Sequence, residues 1–108
     1  MVLLEFSVSP MGKGVGVSAY VARCVDIVEQ SGLDYEVHAM GTIVEGELDA
    51  VLDVMRRSVE AVAVDCERVS CTAKLDLRRG RQGAILGKVQ SIERRVGHGA
   101  RRVGGRRE

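Results

Sequence analysis

The chain has no tryptophan, one proline and three aromatic side chains, Phe6, Tyr20 and Tyr35, among 108 residues. The core must therefore be aliphatic, and the aromatic platforms on which single-stranded nucleic acids stack are missing. Histidine is also scarce: His38 and His98 are the whole set. With so few histidines and no clustered carboxylates, nothing predicts a metal centre. Serines are plentiful, but none sits in a Gly-x-Ser-x-Gly elbow, and the expectation is a chain that is not an enzyme. Three cysteines, an odd number without a C-x-x-C pair, supply no disulfide framework. Cys66 and Cys71 are five apart, which on a strand puts them on opposite faces. Buried, structural cysteine is the expected role for all three. No run of 18 apolar residues predicts a membrane span. Met1-Val2-Leu3-Leu4-Glu5 lacks the basic lead and long apolar stretch of a signal peptide, so a cytoplasmic location is expected.

What is present is an ordinary globular composition, 45% apolar and 29% charged, in a length that suits one domain. The net charge of +1 hides an asymmetry. Residues 1–77 carry 6 basic and 13 acidic side chains, and residues 78–108 carry 10 basic and 2 acidic. The last stretch, Gly97 to Glu108, has no apolar periodicity and reads as a flexible basic tail beyond a domain spanning residues 1–96.

Val2 to Ser9 alternates Leu4, Phe6 and Val8 with Glu5, Ser7 and Ser9, the pattern of a strand with one covered face. Pro10 cannot donate to a ladder and ends it. Gly12, Gly14 and Gly16 make a loose turn that misses the dinucleotide fingerprint, because Val17 stands where the third glycine belongs. Ser18 is the expected cap of a helix over Ala19 to Ser31, with Val21, Cys24, Val25 and Val28 as its stripe and Gly32 as its left-handed terminator. Asp34 to Met40 predicts a second strand, with Glu36, His38 and Met40 on one face. Gly41 permits a reversal or bulge before a short third strand, Thr42 to Glu45. Gly46 opens a second helix, with Glu47 and Asp49 in the first turn and Leu48, Val51, Leu52, Met55, Val59 and Val62 as its stripe. Arg68 to Leu77 is the clearest strand: Val69, Cys71, Ala73, Leu75 and Leu77 face one way, Ser70, Thr72, Lys74 and Asp76 the other. Arg78 to Gly83 is a basic turn, and Ile85, Val89, Ile92 and Val96 predict a further helix. The order β-α-β-β-α-β is that of an α+β, ferredoxin-like sandwich with an additional C-terminal helix.

Helices on one side leave the other face of such a sheet open. It would display Glu5, Ser7, Ser9, Glu36, His38, Met40, Ser70, Thr72, Lys74 and Asp76, joined by Thr42 or Glu45 according to the bulge near Gly41. Two readings stand side by side: a solvated face, or one that meets another subunit and traps a small polar ligand there. Glu45 has no cation beside it in sequence, so it is either solvated or reserved for a ligand that donates protons or carries positive charge. His38 is expected to be solvated or hydrogen-bonded rather than a base, and Lys74 with Asp76 an ordinary ion pair.

Ser7-Val8-Ser9-Pro10-Met11-Gly12, Ser18 to Ala22, Ser31-Gly32-Leu33-Asp34-Tyr35, Met40-Gly41-Thr42-Ile43-Val44-Glu45-Gly46 and Arg68 to Arg78 follow in that order. Together they resemble the small thiamine-binding proteins of the YkoF-like superfamily, over about residues 2–96. The resemblance implies a ferredoxin-like fold, assembly as homodimers and usually homotetramers, no catalysis, no required cofactor, and a thiamine or hydroxymethylpyrimidine site near subunit interfaces. An aminopyrimidine suits a carboxylate and hydroxyls, and a cationic thiazolium suits the acidic body of the chain. The expected ligand-binding residues are Glu45 as carboxylate, Ser7, Ser9 and Thr42 as hydroxyl partners, and Met11 and Met40 against the rings. Two other classes compete: a regulatory module that binds another metabolite and signals to a partner protein, and, less favoured, nucleic-acid binding through the tail.

Overall fold

A computed structural model describes residues 1–12 and 17–79, together with positions 85, 89, 90, 92, 93 and 95. Those six later positions are helical; the rest of the expected C-terminal helix, the basic tail and the glycine turn at 13–16 lie outside the described residues. The elements are β1 (Val2–Pro10), α1 (Ser18–Gln30), β2 (Asp34–His38), β3 (Gly41–Gly46), α2 (Leu48–Ala63) and β4 (Val69–Leu77). The strands form one four-stranded sheet in the order β2-β3-β1-β4, with every neighbouring pair antiparallel. This is the ferredoxin-like arrangement that the alternation and the helical stripes predict.

Register fixes the two faces. Leu4 lies beside Val44 on one side and Leu75 on the other, and Phe6 beside Thr42 and Ala73. On the helix-covered face Val2, Leu4, Phe6, Val8 and Val44 pack with Val28 of α1 and Val51, Val54 and Val62 of α2. The other face carries Leu3, Glu5, Ser7 and Ser9 of β1, with Ile43 and Glu45 of β3 and Lys74 and Asp76 of β4 in register.

Several local expectations shift. Val17, not Ser18, is the N-cap of α1, and no side chain caps that end. Gly32 is left-handed as expected (φ +75°). The Ser31 hydroxyl reinforces that turn by donating to the Val28 carbonyl and accepting from the Leu33 N–H. β2 stops at His38, so Met40 lies in the turn and not on the sheet face. Gly46 ends β3, and Glu47 becomes the N-cap of α2.

The stripe of α2 is rotated from the expected one. Its buried residues are Val51, Val54, Ser58 and Val62, while Leu48 and Leu52 are 39% and 37% exposed. Ser58 lies in the buried stripe, where α2 meets α1. Its hydroxyl donates to the Val54 carbonyl at 2.8 Å, which satisfies the buried oxygen within its own helix. Its carbonyl faces the Cys24 thiol at 3.9 Å, and burial pushes that thiol up from its ordinary pKa. A small residue lets α1 and α2 approach. Ser58→Leu should therefore overpack this seam and cost about 1–3 kcal/mol, read from the urea midpoint, whereas Ser58→Ala should be nearly neutral.

Arg23 ties the helices together at the surface. Its guanidinium grips Asp65 through two hydrogen bonds of 2.9 and 3.0 Å. It also donates to the Ala61 carbonyl near the end of α2 and lies over the Tyr20 ring. The cover thins beyond β1. Leu75 and Leu77 of β4 share the covered face by register, yet they are 42% and 51% exposed. Cys71 beside them is exposed as well, against the expectation that all three cysteines are buried. Cys66 precedes β4 rather than lying on it, so the five-residue spacing does not set it on a face opposite Cys71. It is buried, and its thiol donates to the Arg68 carbonyl at 3.1 Å.

Candidate functional site

β1 outruns the hairpin beside it. It pairs with β4 along its whole length but with β3 only from Val2 to Phe6. From Ser7 onward the β3 side of β1 meets the hairpin turn instead of a strand. A cavity of about 310 Å³ opens there. Its walls are Phe6 to Ser9 of β1, Val21 and Cys24 of α1, and the segment from Val37 to Thr42.

Gly41 makes this geometry possible. A Cβ at that position would stand 2.8 Å from the Phe6 carbonyl oxygen, and the residue has φ +158°. Only glycine lets the hairpin turn sit so close to the β1 backbone. The turn is closed by Met40, whose N–H donates to His38 Nδ1 at 3.3 Å.

The structure brings Ser7, Ser9, Met40 and Thr42 of the six expected ligand residues into this one cavity. Thr42 stands opposite Phe6 on the covered face and is 7% exposed. Met40 sits at the turn, 83% exposed. Glu45 and Met11 are elsewhere. Glu45, opposite Leu3 and Asp34, belongs to the open face, which resolves the choice left at Gly41. It is 3% exposed and engaged within the chain. Three residues along β3 from Thr42, it lies about 10 Å away at strand rise. Met11 is 42% exposed just past β1, where its N–H donates to the Arg68 carbonyl at 2.8 Å.

Sequence reasoning passed over His38, Val21, Val37 and Cys24 as members of the site. The available signal was the glycine partner of His38: opposite Gly41 there is no side chain to block the imidazole. His38 Nε2 reaches across to 3.3 Å from Glu5 Oε2 on β1. The cavity is lined by Ser7 and Ser9 of the open face and Thr42 of the covered face together with Val21, Val37 and Met40. That mixture suits a flat heteroaromatic ring: the hydroxyls donate or accept at its edge, and thioether and valine pack on its faces.

A second, larger depression of about 420 Å³ is lined by Leu3, Glu5, Ile43, Lys74 and Asp76 of the open face and by Leu75 of β4. Its apolar floor is rimmed by charge. Among the described residues no group of three or more histidine, cysteine or carboxylate side chains could hold a metal ion. No helix among them is long and apolar enough to cross a membrane.

Comparison with known proteins places this architecture. A UPF0045 protein of Mycobacterium bovis is 44% identical over 94 residues, spanning 86% of this chain and 92% of the relative. The crystal structure of a hypothetical protein from Methanocaldococcus jannaschii superposes with a TM-score of 0.79 at 35% identity, covering 84% of this chain and 94% of the other. A protein of Thermotoga maritima, assigned provisionally to thiamine biosynthesis or salvage, shares the fold (TM-score 0.74) at 22% identity, over 84% of this chain and 97% of that one. Residues 4–93 match the family described as thiamine-binding protein, and the chain belongs to that family.

Proposed function

We propose that this chain is a non-enzymatic, cytoplasmic carrier, buffer or sensor that binds thiamine, or its hydroxymethylpyrimidine part, in the cavity at the end of β1. The observation that carries the reading is the convergence of Ser7, Ser9, Met40 and Thr42 on one cavity in a chain of the thiamine-binding family. In this reading the hydroxyls meet the aminopyrimidine edge, and Met40 and Val21 cover its faces. The cationic thiazolium is drawn toward the acidic body, where Glu5 stands just beyond His38. Glu45, about 10 Å along β3 from Thr42 and engaged within the chain, does not contact a ligand in this cavity within one subunit.

Thiamine, thiamine phosphate and hydroxymethylpyrimidine titrated calorimetrically into the protein should bind with at most one site per subunit. Thr42→Val removes one hydroxyl and should weaken thiamine about tenfold, the equivalent of one hydrogen bond in a closed site. Unchanged affinity in that variant would place the ligand elsewhere.

We also propose self-association as a homodimer or homotetramer. β4 is an edge strand, and Leu75 and Leu77 on it stay exposed. A strand with an unpaired edge and exposed leucines invites a second copy. Light scattering on the eluting protein should give the mass of a dimer or tetramer; a monomer at micromolar concentration would count against this assembly.

A further inference from the structure

The geometry points to His38 as the positioning residue of the cavity, its neutral imidazole holding the hairpin turn in the arrangement that admits ligand. The inference rests on the thiamine reading of that cavity. His38 is the last residue of β2 and lines the cavity with Met40 and Gly41. Its Nδ1 accepts the Met40 N–H at 3.3 Å. A ring nitrogen accepts only when it carries no proton, so the neutral ring holds its proton on Nε2. That nitrogen is shut off from water and lies 3.3 Å from Glu5 Oε2, though without the alignment of a hydrogen bond. One imidazole therefore fastens the turn on one side and faces a carboxylate on the other.

Protonation reverses this arrangement. An imidazolium donates at both nitrogens, so Nδ1–H would confront the Met40 N–H donor to donor. Charged groups also stand around the ring. Glu5 faces it from β1, and Glu36 shares its face two residues down β2. Glu45 lies farther along the same face on β3. Lys74 of β4, directly across from Glu5, opposes the positive charge. From α1 the titratable lining group is the Cys24 thiol, which burial pushes up from its ordinary pKa. A charged His38 is drawn toward Glu5 and releases Met40, which is 83% exposed and does not anchor the turn. The cavity wall formed by residues 39–41 then loses its fixed position, and thiamine affinity falls as His38 takes up its proton.

The test compares thiamine titrations of wild type, His38→Asn and His38→Ala between about pH 8 and about pH 5. Asparagine places its oxygen near the position of Nδ1, still accepts from Met40, and does not titrate. At the upper pH His38→Asn should bind within about threefold of wild type, and His38→Ala about tenfold more weakly. On acidification wild type should lose about tenfold more affinity than His38→Asn, which reports only the ligand's own protonation. Identical pH profiles for wild type and His38→Asn, or wild-type affinity in His38→Ala, would overturn the role. Should wild type fail to bind thiamine at the upper pH, the thiamine reading falls by itself. The imidazole nitrogen shifts and the Met40 amide resonance then decide the role of His38. An Nε2–H tautomer and a Met40 amide that moves on acidification in wild type but not in His38→Asn support it. An Nδ1–H tautomer or an unmoved amide refutes it.

Discussion

Gly41→Val should destabilise the protein by about 3 kcal/mol or more and abolish thiamine binding in the cavity beside it. The Cβ alone would lie 2.8 Å from the Phe6 carbonyl oxygen, a backbone atom of a central strand that cannot swing aside. Valine adds two methyls and resists the φ of +158° found there. Relief requires the hairpin turn to move off β1. That movement breaks the register from His38–Gly41 to Phe6–Thr42 and takes Met40 and Thr42 out of the cavity wall. Gly32→Ala is the control. Gly32 is also at positive φ (+75°), but its Cβ would meet nothing within 4 Å. It should cost only about 1 kcal/mol of backbone strain and leave binding intact. Urea denaturation and a thiamine titration of both variants check the pair. A Gly41→Val protein as stable as Gly32→Ala would contradict the close approach on which the cavity depends.

Leu4→Ala should cost about 3–5 kcal/mol, a large part of the roughly 5–15 kcal/mol that stabilises a domain. Leu4 is 1% exposed on β1, next to Val44 across the ladder, in a core built largely from valine. Valine has few rotamers, so its neighbours cannot collapse into the space left behind. Phe6 is the one aromatic fully within that core. The measurement is the shift in urea midpoint at unchanged slope. A loss below about 1 kcal/mol would mean that the valine core relaxes freely.

The layout of the fold was legible because its signals are periodic. Leu4, Phe6 and Val8 alternate as a half-covered strand must, and the helical stripes of α1 and α2 are continuous enough to set element order. What escaped depended on tertiary context. Ser58 is absent from the expected apolar stripe of α2 and is fully buried, because its hydroxyl is satisfied within its own helix and its small size suits a helix crossing. Cys71, Leu75 and Leu77 read as a covered face and are exposed, because alternation reveals which side chains share a face but not whether anything lies over it. The candidate site was legible in part for the same reason. Strand parity puts Ser7 and Ser9 on the open face, whereas Thr42 enters through the family resemblance, because the residues alone leave Thr42 or Glu45 open at Gly41. Glu45 drew attention as a carboxylate without a cation in sequence, yet register carries it along β3 to the far side of the sheet from Thr42. His38 reads as solvated or hydrogen-bonded, and it is hydrogen-bonded. Its position beside the cavity depends on a cross-strand glycine partner, which only the pairing of β2 with β3 reveals.

The most direct test of the account is amide chemical-shift mapping of the isotope-labelled protein during titration with thiamine. The account predicts saturable shifts concentrated at residues 6–9 and 37–42 and at Val21 and Cys24, the walls of the cavity. Shifts centred instead on Leu3, Ile43, Lys74 and Asp76, which line the open-face depression, or no shifts at millimolar thiamine, would contradict it.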